Sequence, residues 1–147
     1  MSAVIWPDLT GRPWKLSAER MMTASPAALF QAWTERFDLW FAAPESVLME
    51  PEVNAPFFFE TAYEGKRYPH YGRFLALEED NLVQLTWVTG PGGTKGAETV
   101  VTVRFTSGAT GTHLSLMHEG FPDEESMRQH EEAWPLVLAH QDDKVVD

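Results

Sequence analysis

His118 is the residue whose type and setting best suit chemistry. It closes the run THLSLMHE (112–119), in which Leu114, Leu116 and His118 fall on one side and Ser115 and Met117 on the other. An imidazole thus arrives on an apolar face just before the chain turns through Gly120-Phe121-Pro122. Near neutral pH a neutral imidazole both donates and accepts, which suits a ligand contact or a proton shuttle. The plainer reading, favoured for a lone histidine, is a buried ring satisfied by a backbone carbonyl or a helix carboxylate. The candidate partners in catalysis are Glu60 and Tyr71. For Glu60 the answer turns on register: in PFFFETAY (56–63) either Phe57, Phe59, Thr61 and Tyr63 face inward, or Phe58, Glu60 and Ala62 do. The first choice keeps Glu60 and Glu64 in water and is preferred.

Other motifs carry less. HEEAW (130–134) resembles the H-E-x-x-H zinc helix, but Trp134 stands where the second histidine would be, and His113, His118, His130 and His140 are divided between different elements, a strand and a helix, so no metal is expected. TGPGGTKG (89–96) has the glycines of a phosphate loop without its G-K-[ST] ending or following helix, and reads as a flexible hairpin between strands. No G-x-S-x-G elbow occurs, and the chain has no cysteine, which excludes disulfides and thiolate chemistry and fits a reducing, cytoplasmic setting. Eleven basic against 22 acidic residues give a net charge of −11, which repels nucleic acid and anionic membrane surfaces. No apolar run is long enough for a membrane span, and the first residues lack a signal-peptide pattern.

The elements that must position these residues are legible from periodicity. Residues 1–12 read as an extension anchored by Trp6, and residues 13–147, a length suited to one core, as a single domain. A strand over 14–23 is followed by two short helices, one starting at Ser25-Pro26 and one with Phe37, Trp40 and Phe41 on a common side. Six more strands are expected at 46–53, 56–63, 69–78, 81–88, 97–106 and 112–119, joined by Gly, Asn and Asp turns as in an antiparallel meander. A helix over 123–143 closes the chain, capped by Asp123, with Met127, Trp134, Val137 and Leu138 as its apolar stripe and Pro135 interrupting its hydrogen bonding.

This order, with SPAALFQAWT, LVQLTWV, LSLMHEGFPDEE and HEEAWPLVLAHQDD in place, resembles the helix-grip (START-like, Bet v 1-like) superfamily, and within it the relatives of the C-terminal domain of the activator of Hsp90 ATPase, over about residues 14–143. The resemblance implies an α+β fold: a curved antiparallel sheet, here of about seven strands, wrapped around the long C-terminal helix with a cavity between. It implies no single reaction, since such folds serve as carriers, receptors, cyclases, hydrolases and co-chaperone modules. The nine Phe, six Trp and three Tyr exceed what a core of this size needs. The expected cavity lining is Trp40, Phe41, Phe57, Phe59, Tyr63, Phe74, Trp87, Val103, Leu116, His118, Trp134 and Leu138. The leading expectation is a non-enzymatic protein that binds a hydrophobic or aromatic small molecule without a cofactor. The alternatives are a cyclase- or hydrolase-type enzyme using His118, or a co-chaperone-like interaction module; homodimer formation through the N-terminal segment is left open.

Overall fold

The structure, a computed structural model, describes residues 3–147; Met1 and Ser2 of the expected extension lie outside them. The elements run β1 (Trp14–Met22), α1 (Pro26–Thr34), a 3-10 turn (Phe37–Leu39), β2 (Pro56–Tyr63), β3 (Lys66–Glu78), β4 (Leu82–Trp87), β5 (Thr99–Gly108), β6 (Gly111–Phe121) and α2 (Glu124–Lys144). The strands form one antiparallel sheet in the order β1-β6-β5-β4-β3-β2. The first and last strands pair, so α2 is delivered back across the sheet, where it packs chiefly along β1. This is the expected α+β helix-grip architecture.

The sheet has six strands rather than seven. The segment 46–53 makes only a bridge between Leu48 and Phe58, with bonds of 2.8 and 2.9 Å. Pro44 and Pro51 lack the amide a ladder needs, and Glu45 and Asn54 take positive φ, so the chain cannot stay extended for longer. The second short helix is likewise reduced to the Phe37–Leu39 turn. The β2–β3 hairpin is tighter than expected: Tyr63 pairs with Lys66, and Glu64 and Gly65 both take positive φ (51° and 78°), as a two-residue primed turn requires.

Alternation puts Val83, Leu85, Trp87, Val101, Val103, Phe105, Leu114, Leu116 and His118 on the face beneath the helices, all buried. In β2, Phe57 and Phe59 face the core, which settles the register in favour of the preferred alternative. Across from Phe57 lies Gly72, where a Cβ would overlap both the Phe57 ring and the Thr86 carbonyl. Only glycine lets that ring lie flat on the β3 backbone.

Ser25 caps α1 through Ala28 N (3.2 Å) and Asp123 caps α2 through Ser126 N (2.8 Å). Helix α2 continues through Pro135, and the carbonyl that proline leaves unbonded belongs to Glu131, an exposed residue that water can satisfy. No helix among the described residues is long and apolar enough to cross a membrane.

Gly72→Ala tests the close approach of Phe57 to β3. Urea unfolding should show a loss of about 1–3 kcal/mol, the cost of overpacking; an unchanged midpoint would mean that the ring moves aside freely.

Candidate functional site

His118 lies on β6 opposite Val101 of β5 and Leu16 of β1, and is wholly buried. Its Nδ1 is 3.0 Å from Trp134 Nε1 on α2, and its Nε2 is 2.7 Å from Thr99 Oγ1 on β5. An indole N–H can only donate, so Nδ1 accepts and the ring proton resides on Nε2, which donates to the Thr99 hydroxyl. That hydroxyl in turn donates to the Trp87 carbonyl on β4. Burial, with a smaller contribution from nearby His130, holds His118 well below the ordinary imidazole pKa and keeps it neutral. Both ring nitrogens are therefore engaged within the protein. His118 joins α2 to three strands rather than presenting a free nitrogen to a ligand.

The proposed catalytic partners lie elsewhere. Glu60 points to the outer face of β2, where its carboxylate is 3.7 Å from Arg67. Tyr71 is also on the outer face, its ring 5.4 Å from Phe58 and about half exposed. Pleating decides this: His70, Gly72 and Phe74 take the inner side of β3, so Tyr71 cannot share a face with Phe74. Tyr63, next to the hairpin turn, is 66% exposed and stands apart from the other residues expected at the cavity.

The remaining aromatic candidates do meet, largely by filling the space between sheet and helices. Trp33, a residue the sequence reading did not single out, packs against Phe37, Trp40 and Trp134 at centroid distances of 5.6, 4.8 and 5.9 Å. Phe37 stacks on Phe59 at 4.7 Å, and Trp87 sits 5.5 Å from Trp134. Trp40 donates its indole N–H to the Ala32 carbonyl (3.0 Å). Phe57, Phe74, Val103, Leu116 and Leu138 are buried in the same cluster.

Open space lies at one end of this layer. A cleft of about 550 Å³ runs between the β2–β3 hairpin (Thr61, Tyr68, Pro69, His70) and the loop joining β4 to β5 (Thr89 to Gly93). Its volume is in the range of small-molecule sites. His70 lies at the inner wall, stacked on Phe59 at 4.9 Å and edge-on to Phe41 and Trp87 at 5.3 and 5.2 Å. Its Nδ1 is 3.1 Å from the Tyr68 carbonyl. Burial outweighs that bond and lowers the His70 pKa to about 4.

Sequence reasoning passed over His70 in favour of its neighbour Tyr71. The available signal was the hairpin itself, which pairs His70 with inward-facing Phe59. The glycine-rich loop lies between two strands as expected and carries a dense set of bonds. Thr89 and Thr94 exchange amide-to-hydroxyl bonds of 2.8 and 2.7 Å, Ser126 Oγ donates to the Gly93 carbonyl (2.6 Å), and Lys95 Nζ lies 2.9 Å from both Asp123 and Glu125. The loop is thereby fastened to the start of α2. A separate groove, on the outer face of the sheet, is lined by polar side chains including Ser17, Gln84, Thr102, Arg104 and Ser115.

The model of the family described as Activator of Hsp90 ATPase homolog 1-like protein matches residues 23–143. The chain belongs to this family. Solved structures agree with this chain in fold. Protein CV1439 from Chromobacterium violaceum has a TM-score of 0.77 at 20% identity, covering 92% of this chain and 99% of its own. Protein MLL2253 from Mesorhizobium loti gives 0.71 at 21% identity, with 88% and 94% covered. CalU16 from Micromonospora echinospora gives 0.64 at 20% identity, with 88% and 79% covered. At these identities the likeness is one of fold. No curated protein matches the chain.

Two outcomes follow from the buried imidazoles. Trp134→Phe keeps a ring against Trp33 and Trp87 but leaves His118 Nδ1 without its donor, so urea unfolding should show a loss of about 1–3 kcal/mol; an unchanged midpoint would show that the bond contributes nothing. His70, His118 and His130 all have pKa values lowered by burial. The unfolded chain therefore takes up protons before the folded one does. The histidine contribution to stability is complete above an unfolded-state pKa of about 6.5 and is lost as pH falls from there toward the lowered values. Denaturant midpoints measured through that window should fall with pH, and replacing His118 by Gln should flatten the slope.

Proposed function

We propose that this family member binds a neutral apolar or aromatic small molecule, and that the ligand enters through the cleft between the β2–β3 hairpin and the β4–β5 loop. The observation that carries this reading is the cleft itself: about 550 Å³, with twin walls that include Pro69 and Pro91, reaching His70. Phe41, Phe59 and Trp87 pack directly around that imidazole, and Trp40, Trp134 and Leu138 belong to the buried cluster that supports them. A flat or aliphatic guest would displace water from proline and ring surfaces, a gain of roughly 25 cal/mol per Å² buried. The rings expected to line a central cavity serve in this reading as the supporting layer beneath the cleft. No cofactor is required, and the absence of cysteine supports a reducing compartment.

The test is a titration with neutral aromatic compounds, following tryptophan emission, with Trp87 the indole nearest His70, and melting temperature. A true ligand at about 100 times its Kd stabilises the folded state by about 2.7 kcal/mol, enough to raise the melting temperature by several degrees. Gly90 lines the cleft, has open space where a Cβ would go and does not take positive φ, so Gly90→Trp can plug the cleft with little strain. That variant should keep its fold and lose the shift. Equal shifts in the variant and the parent, or no shift with any compound, would sink the proposal.

A further inference from the structure

From the same cleft, and resting on the reading just given, we infer that the preferred ligand carries a hydrogen-bond donor, such as a phenol or alcohol hydroxyl, which His70 Nε2 accepts. The geometry of His70 sets the polarity of the site. A carbonyl oxygen only accepts, so the contact with Tyr68 O (3.1 Å) places the ring proton on Nδ1. The other nitrogen, Nε2, is then an unprotonated acceptor. It makes no hydrogen bond among the described residues, yet it is not one of their fully buried unpartnered polar atoms, so it has access to the cleft that His70 lines.

Donors that would welcome an anion are mostly committed. Within the glycine-rich loop the amides of Thr89, Gly93, Thr94, Lys95 and Gly96 are bonded inside the loop, to Thr94 Oγ1, Thr89 Oγ1 and the carbonyls of Gly90 and Thr89. Lys95 is held between Asp123 and Glu125. The hydroxyls of Thr61, Tyr68 and Thr89 can turn either way. Among the side chains that line the cleft, the imidazole is the one whose polarity is fixed, and it presents a lone pair. A carboxylate there would set one acceptor against another inside a chain of net charge −11, whereas a hydroxyl donates into the nitrogen at no cost in charge burial. Burial among Phe41, Phe59 and Trp87 keeps the ring from protonating to suit an anion.

Three probes of one shape separate the possibilities: 2-naphthol, naphthalene and 2-naphthoate, titrated at neutral pH against the full chain. The naphthol should bind about five- to tenfold more tightly than naphthalene, the increment of one neutral hydrogen bond, and the naphthoate should bind most weakly. In His70→Phe the ratio of naphthol to naphthalene affinity should fall to about one, whatever the absolute affinities. Nitrogen-15 spectra of the parent protein should show the unprotonated nitrogen of His70 shifting with naphthol and not with naphthalene, a readout that needs no variant. Equal affinities for naphthol and naphthalene, tighter binding of the naphthoate, or a naphthol preference that survives in His70→Phe would overturn the donor assignment while leaving the cleft as a binding site. Failure of all three probes would overturn both.

Discussion

A histidine with no exposure and no charge is held by a donor above and an acceptor below, and the arrangement of the helix on the sheet depends on that thread of bonds. The Trp134 indole donates to His118, His118 to Thr99, and Thr99 to the Trp87 carbonyl. Four elements are tied by groups whose hydrogen-bonding directions leave one consistent protonation pattern. A buried polar group costs free energy unless paired, so a fully paired network penalises any sliding of α2 that would break it. Apolar packing alone is less selective about helix position, because rings tolerate offsets that hydrogen bonds do not. Among the described residues the Gln141 side-chain amide in the last turn of α2 and the Trp33 indole N–H are buried without partners, so pairing is concentrated around His118 rather than spread through the core.

This placement moves the open space to the edge of the structure. Beneath α2 the volume goes to Trp33, Phe37, Trp40, Phe59, Trp87 and Trp134, whose rings touch one another. Further along β2 and β3 the sheet outruns the helices, and the hairpin and the β4–β5 loop face each other across the cleft. The loop keeps its place because Ser126 and the acids at the start of α2 hold it. One helix terminus thus organises the fold and one wall of the proposed site together.

The N-terminal segment is tied in by a comparable contact. Gly120 is the extra residue of a bulge where β6 meets β1, with φ of 91°, and Leu9 lies so near that a Cβ would come within 2.6 Å of it. Arg12 donates to the Gly120 carbonyl at 2.8 Å. Gly120 and Phe121, in the stretch that looked like a turn, are therefore the last, bent part of β6, and Phe121 packs against His118 at 4.3 Å before the chain turns through Pro122 into α2.

Periodicity and local sterics in the sequence by themselves determined most of the elements and which strand residues turn inward, His118 among them, together with the caps Ser25 and Asp123; they favoured the inward register of Phe57 and Phe59 without fixing it. Only the tertiary structure decided what those inward residues do. His118 is saturated because Trp134 and Thr99, distant in the chain, reach both of its nitrogens. His70 rather than Tyr71 faces the cleft because the turn at Glu64-Gly65 sets the pairing of β2 with β3. The strand at 46–53 shrinks to a bridge because Pro51 lacks the amide a ladder needs and the positive-φ residues on either side, Glu45 and Asn54, turn the chain away beyond Leu48. Alternation says which side of a sheet a side chain takes; what it meets there is set by elements far away in sequence, and hydrogen-bond satisfaction and open space exist only once those elements have docked.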